Sequence, residues 1–226
     1  MPAQPNAPWD TFEAMRDVLH LMRKFTVGHL RPILMACTLL GSTSLAAQET
    51  PTWDTAKVWT DFEAALQRPE LVLRLDLTKQ KWKDLDYRLR RFRQLRELVL
   101  DRNKLDSLPP WMAEFTGLER LSIQSNQLED FPLVLLSLHS LRELNLADNL
   151  IPGIPEDIDS LSKLERLVLW SNVVGHFPPS LSQLDALVEL DLLHNEMSVD
   201  EQKWVKELLP GRKIHLSPPC QCDFDD

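Results

Sequence analysis

Residues Leu95–Gly117 read LRELVLDRNKLDSLPPWMAEFTG, and the chain then repeats the pattern in register. It returns at Leu118 (LERLSIQSNQLEDFP), Leu141 (LRELNLADNLIPGIP), Leu164 (LERLVLWSNVVGHFP) and Leu187 (LVELDLLHNEM), at intervals of 23 residues without insertion. One outlying copy precedes them. Val72, Leu75, Leu77, Trp82, Leu85, Leu89 and Phe92 fall on the same columns, with Gln80 in the Asn place and Asp86 in the Pro place. The set therefore comprises six repeats, from 72–94 to 187–209, with atypical ends.

The columns carry a physical meaning. Positions four and six of each repeat (Leu98/Leu100, Leu121/Ile123, Leu144/Leu146, Leu167/Leu169, Leu190/Leu192) are apolar and alternate with polar or variable residues, as a strand with one buried face requires. Position nine is Asn103, Asn126, Asn149, Asn172 and Asn195. An Asn where the chain leaves a strand bonds backbone groups of its own and the next turn, so this column predicts a buried ladder. Leu105, Leu128, Ile151, Val174 and Met197 then point back inward. The second half of each repeat has a Pro (Pro109, Pro132, Pro155, Pro178) followed by apolar residues three apart, which ends the strand and suits a short helical or 3₁₀ turn.

A period in the twenties headed by L-x-x-L-x-L-x-x-N resembles the leucine-rich repeat family. The resemblance implies an α/β fold: a right-handed solenoid bent into a horseshoe arc, with a parallel sheet on the concave face. Short helical or 3₁₀ turns line the convex face and helical caps close both ends. It also implies that function lives on strand side chains that face out of the concave sheet.

Outside the repeats, residues 48–71 predict a helical N-cap. Trp59, Phe62, Ala65 and Leu66 lie at helical spacing within a helix over 53–67, Thr60 or Asp61 can cap an inner start, and Pro69 ends it. At the other end Ser198–Glu201 can start a helix that runs through Leu209, with Trp204, Leu208 and Leu209 facing the last repeat. Residues 210–226 predict a closing strand, Lys213–Leu216, and a flexible tail. Residues 1–47 read as a leader. From Met22, Arg23 and Lys24 precede the apolar run Ile33–Leu40, and small residues lead into Gln48, which is the layout of a signal peptide cut after Ala46 or Ala47. The alternative is an amphipathic or disordered leader of a cytoplasmic protein. Leu34-Met35-Ala36-Cys37 loosely resembles a lipoprotein box, but Met35 stands where that pattern prefers a smaller residue. The apolar run is too short to span a membrane.

Charge and cysteines narrow the partners. Downstream of residue 47 the chain holds 21 Lys and Arg against 31 Asp and Glu, which argues against nucleic acid. The basic residues gather early: 74–104 hold 11 against 5 acidic, whereas 105–226 hold 8 against 21. Arg88, Arg90, Arg91 and Arg93 crowd the first convex segment and read either as a solvated face or as a patch that steers an anionic partner. Cys220 and Cys222 lack the four-ligand spacing of a zinc site, so no metal and no cofactor is expected; a disulfide is the better reading in an oxidising compartment. Against the animal members of the family, the absence of cysteine-rich caps and of N-x-S/T acceptors suggests a bacterial exported protein.

On the concave face the third column reads Arg74, Glu97, Arg120, Glu143, Arg166, Glu189, and the second continues in antiphase as Arg96, Glu119, Arg142, Glu165. Parallel strands in register would give each charge an opposite partner on both sides, a register device before it is a ligand site. Val168, Trp170, Leu193 and His194, rimmed by Asp148 and Asp191, have the composition of a binding hot spot. The competing reading folds Trp170 over its neighbour as a cover for the ladder. No nucleophile–base pair, metal cluster or phosphate loop appears; His194 with Asp191 is the sole hydrolase candidate, and a weak one. The leading expectation is a non-enzymatic module that binds a protein or peptide on the concave face. The alternative is an envelope-associated protein that recognises an anionic glycan or lipid through the basic N-terminal repeats, residues 79–102.

Overall fold

The computed structural model describes residues 53–219; the leader, its cleavage site and Cys220 and Cys222 lie outside the described residues. Each repeat contributes one short strand in its third to fifth positions: β2 (Arg74–Asp76), β3 (Glu97–Val99), β4 (Arg120–Ser122), β5 (Glu143–Asn145), β6 (Arg166–Val168) and β7 (Glu189–Leu192). Two more strands, β1 (Val58–Trp59) and β8 (Lys213–Leu216), complete one parallel sheet in sequential order β1 to β8. Register follows the repeat, with Leu75, Leu98, Leu121, Leu144, Leu167 and Leu190 paired in one row. Those six leucines are at most 2% exposed, so the row is the spine of the core.

Pro and its neighbours set the convex side. The Pro carbonyl at each repeat's corner accepts from the N–H three residues on: Met112 to Pro109 (3.0 Å), Leu135 to Pro132 (3.0 Å), Ile158 to Pro155 (3.2 Å) and Leu181 to Pro178 (3.1 Å). The 3₁₀ turns Pro110–Glu114, Leu133–Ser137, Ile158–Ser160 and Pro179–Gln183 follow. In the first repeat Asp86 substitutes for Pro: its carbonyl accepts from Leu89 N–H (3.0 Å) and its side chain caps Arg88 N–H (2.8 Å), opening the turn Tyr87–Arg91.

The Asn ladder forms, with a direction that differs from expectation. Asn149 donates to the carbonyls of Leu146 in its own turn (3.0 Å) and Ile123 in the preceding turn (3.1 Å), while its Oδ1 accepts from Leu128 N–H (3.1 Å). Asn103, Asn126, Asn172 and Asn195 repeat this set, so each Asn ties its turn backward rather than forward. Gln80, in the first repeat, stays exposed and makes no such rung.

Immediately before each Asn column position the backbone turns left-handed. Lys79, Arg102, Ser125, Asp148, Ser171 and His194 all have φ between 53° and 61°, and none is Gly. The turn aims their N–H groups at the next coil: Arg102 donates to Gln124 O (2.8 Å), Ser125 to Ala147 O (2.9 Å), Asp148 to Trp170 O (2.7 Å) and Ser171 to Leu193 O (2.8 Å). Hydrogen bonds made in every turn hold the unfavourable conformation.

Both caps close the core, the first differently from the sequence reading. Helix is confined to α1 (Phe62–Leu66), which Asp61 caps by accepting from Ala64 N–H (3.0 Å); residues 53–59 form a 3₁₀ turn and β1 instead of helix. β2 would otherwise expose an unpaired edge, and the β-branched and aromatic pair Val58–Trp59 satisfies it. Phe62 meets Trp82 and Phe92 edge-on at 5.3 and 6.0 Å. At the far end α2 (Val199–Leu208) starts with a capping box of Ser198 and Glu201. Gln202 and Val205 are its buried residues, joined by Leu209 at its C-cap, whereas Trp204 is 45% exposed and donates Nε1–H to Phe177 O (3.1 Å), so it does not face the last repeat as its spacing suggested.

Candidate functional site: the concave sheet

Short strands hold the outward residues of positions three and five on an open face. A hollow of about 260 Å³ lies over β3–β6. Val99, Ser122, Asn145 and Val168 line it from the fifth column, and Glu97, Arg120, Glu143 and Arg166 from the third. Its polar lining is internally bonded. Asn145 Nδ2 donates to Ser122 Oγ (3.1 Å), which donates to Asp101 Oδ1 (2.6 Å); Gln124 N–H also reaches that oxygen (2.9 Å). Burial pushes the Asp101 carboxyl above its ordinary range, the Ser122 and Gln124 hydrogen bonds oppose the shift, and nearby Asp76 adds to it.

The third-column charges resolve into pairs rather than a continuous chain. Arg74 meets Glu97 (2.6 Å), Arg120 meets Glu143 (2.8 Å) and Arg166 meets Glu189 (3.4 Å). Two members also have partners in the caps. Arg120 also reaches Asp54 (3.2 Å), and Glu189 takes Lys213 (3.0 Å) and His215 (2.8 Å) from β8. Lys213, then His215, hold the Glu189 carboxyl below its usual range. The second column does run on: Glu119 contacts both Arg96 (3.2 Å) and Arg142 (3.7 Å), and Arg142 continues to Glu165.

Sequence reasoning missed Trp53. Its Nε1–H donates to Glu119 Oε2 (3.1 Å) and its ring lies 4.6 Å from the Arg120 guanidinium, so the start of the cap reaches two repeats along. No periodic signal marks a contact across 66 residues. The hollow itself was also missed: of the six expected site residues only Val168 lines it. The other five gather at its C-terminal side. Trp170 is half-buried with His194 edge-on at 5.6 Å, Leu193 is half-buried and donates its N–H to Asp191 Oδ1 (3.1 Å), and Asp148 is exposed. No hydrogen bond joins His194 to Asp191. Among the described residues no group of three or more His, Cys, Asp or Glu could hold a metal, and no helix is long and apolar enough to cross a membrane.

The convex arginines are mostly engaged. Arg88 pairs with Asp86 (2.7 Å) and Glu63 (2.9 Å), and Arg90 and Arg93 share Glu114. Arg88 also lies over Phe62 and Arg90 over Tyr87. These three serve the N-terminal end of the solenoid, so the convex segment is not the free basic patch that its composition suggested.

Residues 93–151 match the family model "Leucine rich repeat". These are leucine-rich repeats. Among solved leucine-rich repeat structures, the chain is similar to a protein of Leptospira interrogans, with 29% identity and a TM-score of 0.57 over 73% of this chain and 49% of that one. It is also similar to the ectodomain of the receptor kinase GASSHO1/SCHENGEN3 from Arabidopsis thaliana, with 26% identity and a TM-score of 0.53 over 70% of this chain and 20% of that one. A chain of a Drosophila Toll–Spatzle complex shares the fold at 24% identity and a TM-score of 0.54, over 63% of this chain and 21% of that one. The chain thus spans about half the length of the Leptospira leucine-rich repeat protein and a fifth of the other two chains. No curated protein matches its sequence.

Proposed function

We propose that this leucine-rich repeat chain is a non-enzymatic module that holds a protein or peptide on its concave sheet. The observation that carries this reading is the hollow over β3–β6, with aliphatic Val99 and Val168 framed by ion-paired arginines and carboxylates. Arginines held by Arg–Glu pairs present their remaining N–H groups in fixed positions, which lowers the entropic cost of gripping a ligand backbone. Trp170 and His194 extend the surface at one side and supply an aromatic anchor. The Arabidopsis ectodomain, similar in fold, was solved in complex with Casparian strip integrity factor 2, and a bound partner on such a fold supports this reading. The leader supports an exported location, periplasmic, cell-surface or secreted, and the absence of cysteine-rich caps and N-x-S/T acceptors from the sequence supports a bacterial source.

The test is capture from envelope and culture-supernatant fractions by the immobilised chain. Val168→Arg and Trp170→Ala should each abolish capture while the thermal midpoint stays within a few degrees of wild type. A partner retained by both variants sinks the concave reading. Mass spectrometry of the native N-terminus tests export: a chain that begins at Ala47 or Gln48 supports it, and an intact leader overturns it.

A further inference from the structure

A second surface, sharing no residue with the concave hollow, lies where the first two repeats leave their strands. Lys79 and Arg102 occupy equivalent left-handed corners, with φ of 61° and 54°. Lys81 (φ 60°) and Lys104 are equivalent two positions further on. The backbone locks these residues side by side: Lys79 donates its N–H to Asp101 O (2.9 Å), next to Arg102, and Lys104 donates its N–H to Trp82 O (2.8 Å), next to Lys81. Adjacent coils of a parallel sheet stand about 4.8 Å apart, so two rows of two cations face solvent at close range.

All four are exposed, and among the described residues none forms an ion pair. In this the edge differs from the convex arginines and the concave columns, whose cations are largely paired. Two carboxylates of the adjoining strands already accept hydrogen bonds: Asp76 Oδ1 from Thr78 (2.9 Å from N–H, 2.6 Å from the hydroxyl), and Asp101 Oδ1 from Ser122 and Gln124; Asp101 acts on Arg102 through space without forming an ion pair with it. Further along the same two columns stand Ser125, Asp148, Ser171 and His194, and Gln127, Leu150, Val173 and Glu196. No Lys or Arg continues the rows.

We propose that the Lys79/Lys81/Arg102/Lys104 edge docks a linear acidic polysaccharide. Like charges fixed side by side repel one another, and a chain of carboxylates or sulfates relieves that repulsion along its length. The cations sit in parallel rows on an open edge, with no concavity where they would converge on one compact anion. A bilayer fits less well, because no large apolar side chain is exposed in 79–83 or 102–104; Trp82 is tucked against Phe62. Duplex nucleic acid would run on into the acidic repeats.

The experiment uses the full chain and a heparin dodecasaccharide as probe, followed by titration calorimetry at low salt. Lys79→Asn/Arg102→Asn with Lys81→Asn/Lys104→Asn keeps residues that tolerate a left-handed corner. That variant should weaken binding by about tenfold or more and flatten its salt dependence. Arg91→Gln with Lys206→Gln, and separately Trp170→Ala, should bind the probe like wild type, so failure here is distinguishable from failure of the concave reading. No binding by wild type, unchanged binding by the fourfold variant, or tighter binding to phosphatidylglycerol vesicles or duplex DNA than to heparin would overturn the proposal.

Discussion

The inner and outer faces of the sheet share one period and obey different physics. Inside, the turns repeat the same contacts: a leucine spine at most 2% exposed and, from the second repeat on, an Asn that donates to its own and the preceding turn and accepts one N–H. Outside, an equally regular alternation of Arg and Glu breaks into pairs along the third column, with Arg120 and Glu189 drawn towards the caps, and runs on along the second. A buried group has no alternative partner, whereas an exposed charge chooses among several at little cost. Periodicity in sequence therefore fixes side-chain geometry most firmly where water is excluded.

Substitutions can break or sharpen this contrast. The largest effect should come from Leu144→Ala in the central turn: the lost contacts and residual cavity should cost about 3 kcal/mol or more in chemical denaturation. Asn149→Ala should follow at about 2 kcal/mol, because it leaves the buried Leu128 N–H without a partner and takes one of two Asn donors from each of the Leu146 and Ile123 carbonyls; a loss under about 0.5 kcal/mol would remove the ladder from the stability account. A double-mutant cycle on Arg120→Gln and Glu143→Gln should give a coupling of about 0.5 kcal/mol or less, since both side chains are well over a quarter exposed. The smallest effect tests the exception outside, Asp101. Its carboxyl is raised in the folded state, so its charge opposes folding at neutral pH, and that penalty fades as pH falls through the folded value. Asp101→Asn should raise the thermal midpoint slightly at pH 7, and the advantage should vanish towards the unfolded carboxyl range near about 4. An advantage that grows on acidification would contradict the assignment.

How much was legible in the sequence follows the same division. The spine, the Asn column and the proline corners were readable because a fixed interval leaves each residue one environment. The backward direction of each Asn was not, since an interval has no sense along the stack. β1 escaped because two residues make no pattern, and its helical spacing lost to the hydrogen bonds that the β2 edge offers. Trp204 shows the same limit: helical spacing placed it inward, but its indole N–H found Phe177 O at the side. In the candidate site, Trp170 and His194 were expected together and do touch, yet the hollow depends on which concave side chains are small, a property of four adjacent strands at once.

The left-handed corners have a consequence for how such a chain can vary. Lys, Arg, Ser, Asp, Ser and His occupy that bend in succession, and no β-branched residue stands there. The bend rejects Val, Ile and Thr on steric grounds but is otherwise indifferent to size and sign, because only the amide is used in holding the coils together. One rim of the stack is in effect a row of interchangeable pegs, on which a lineage can rewrite surface chemistry coil by coil while the interior stays untouched.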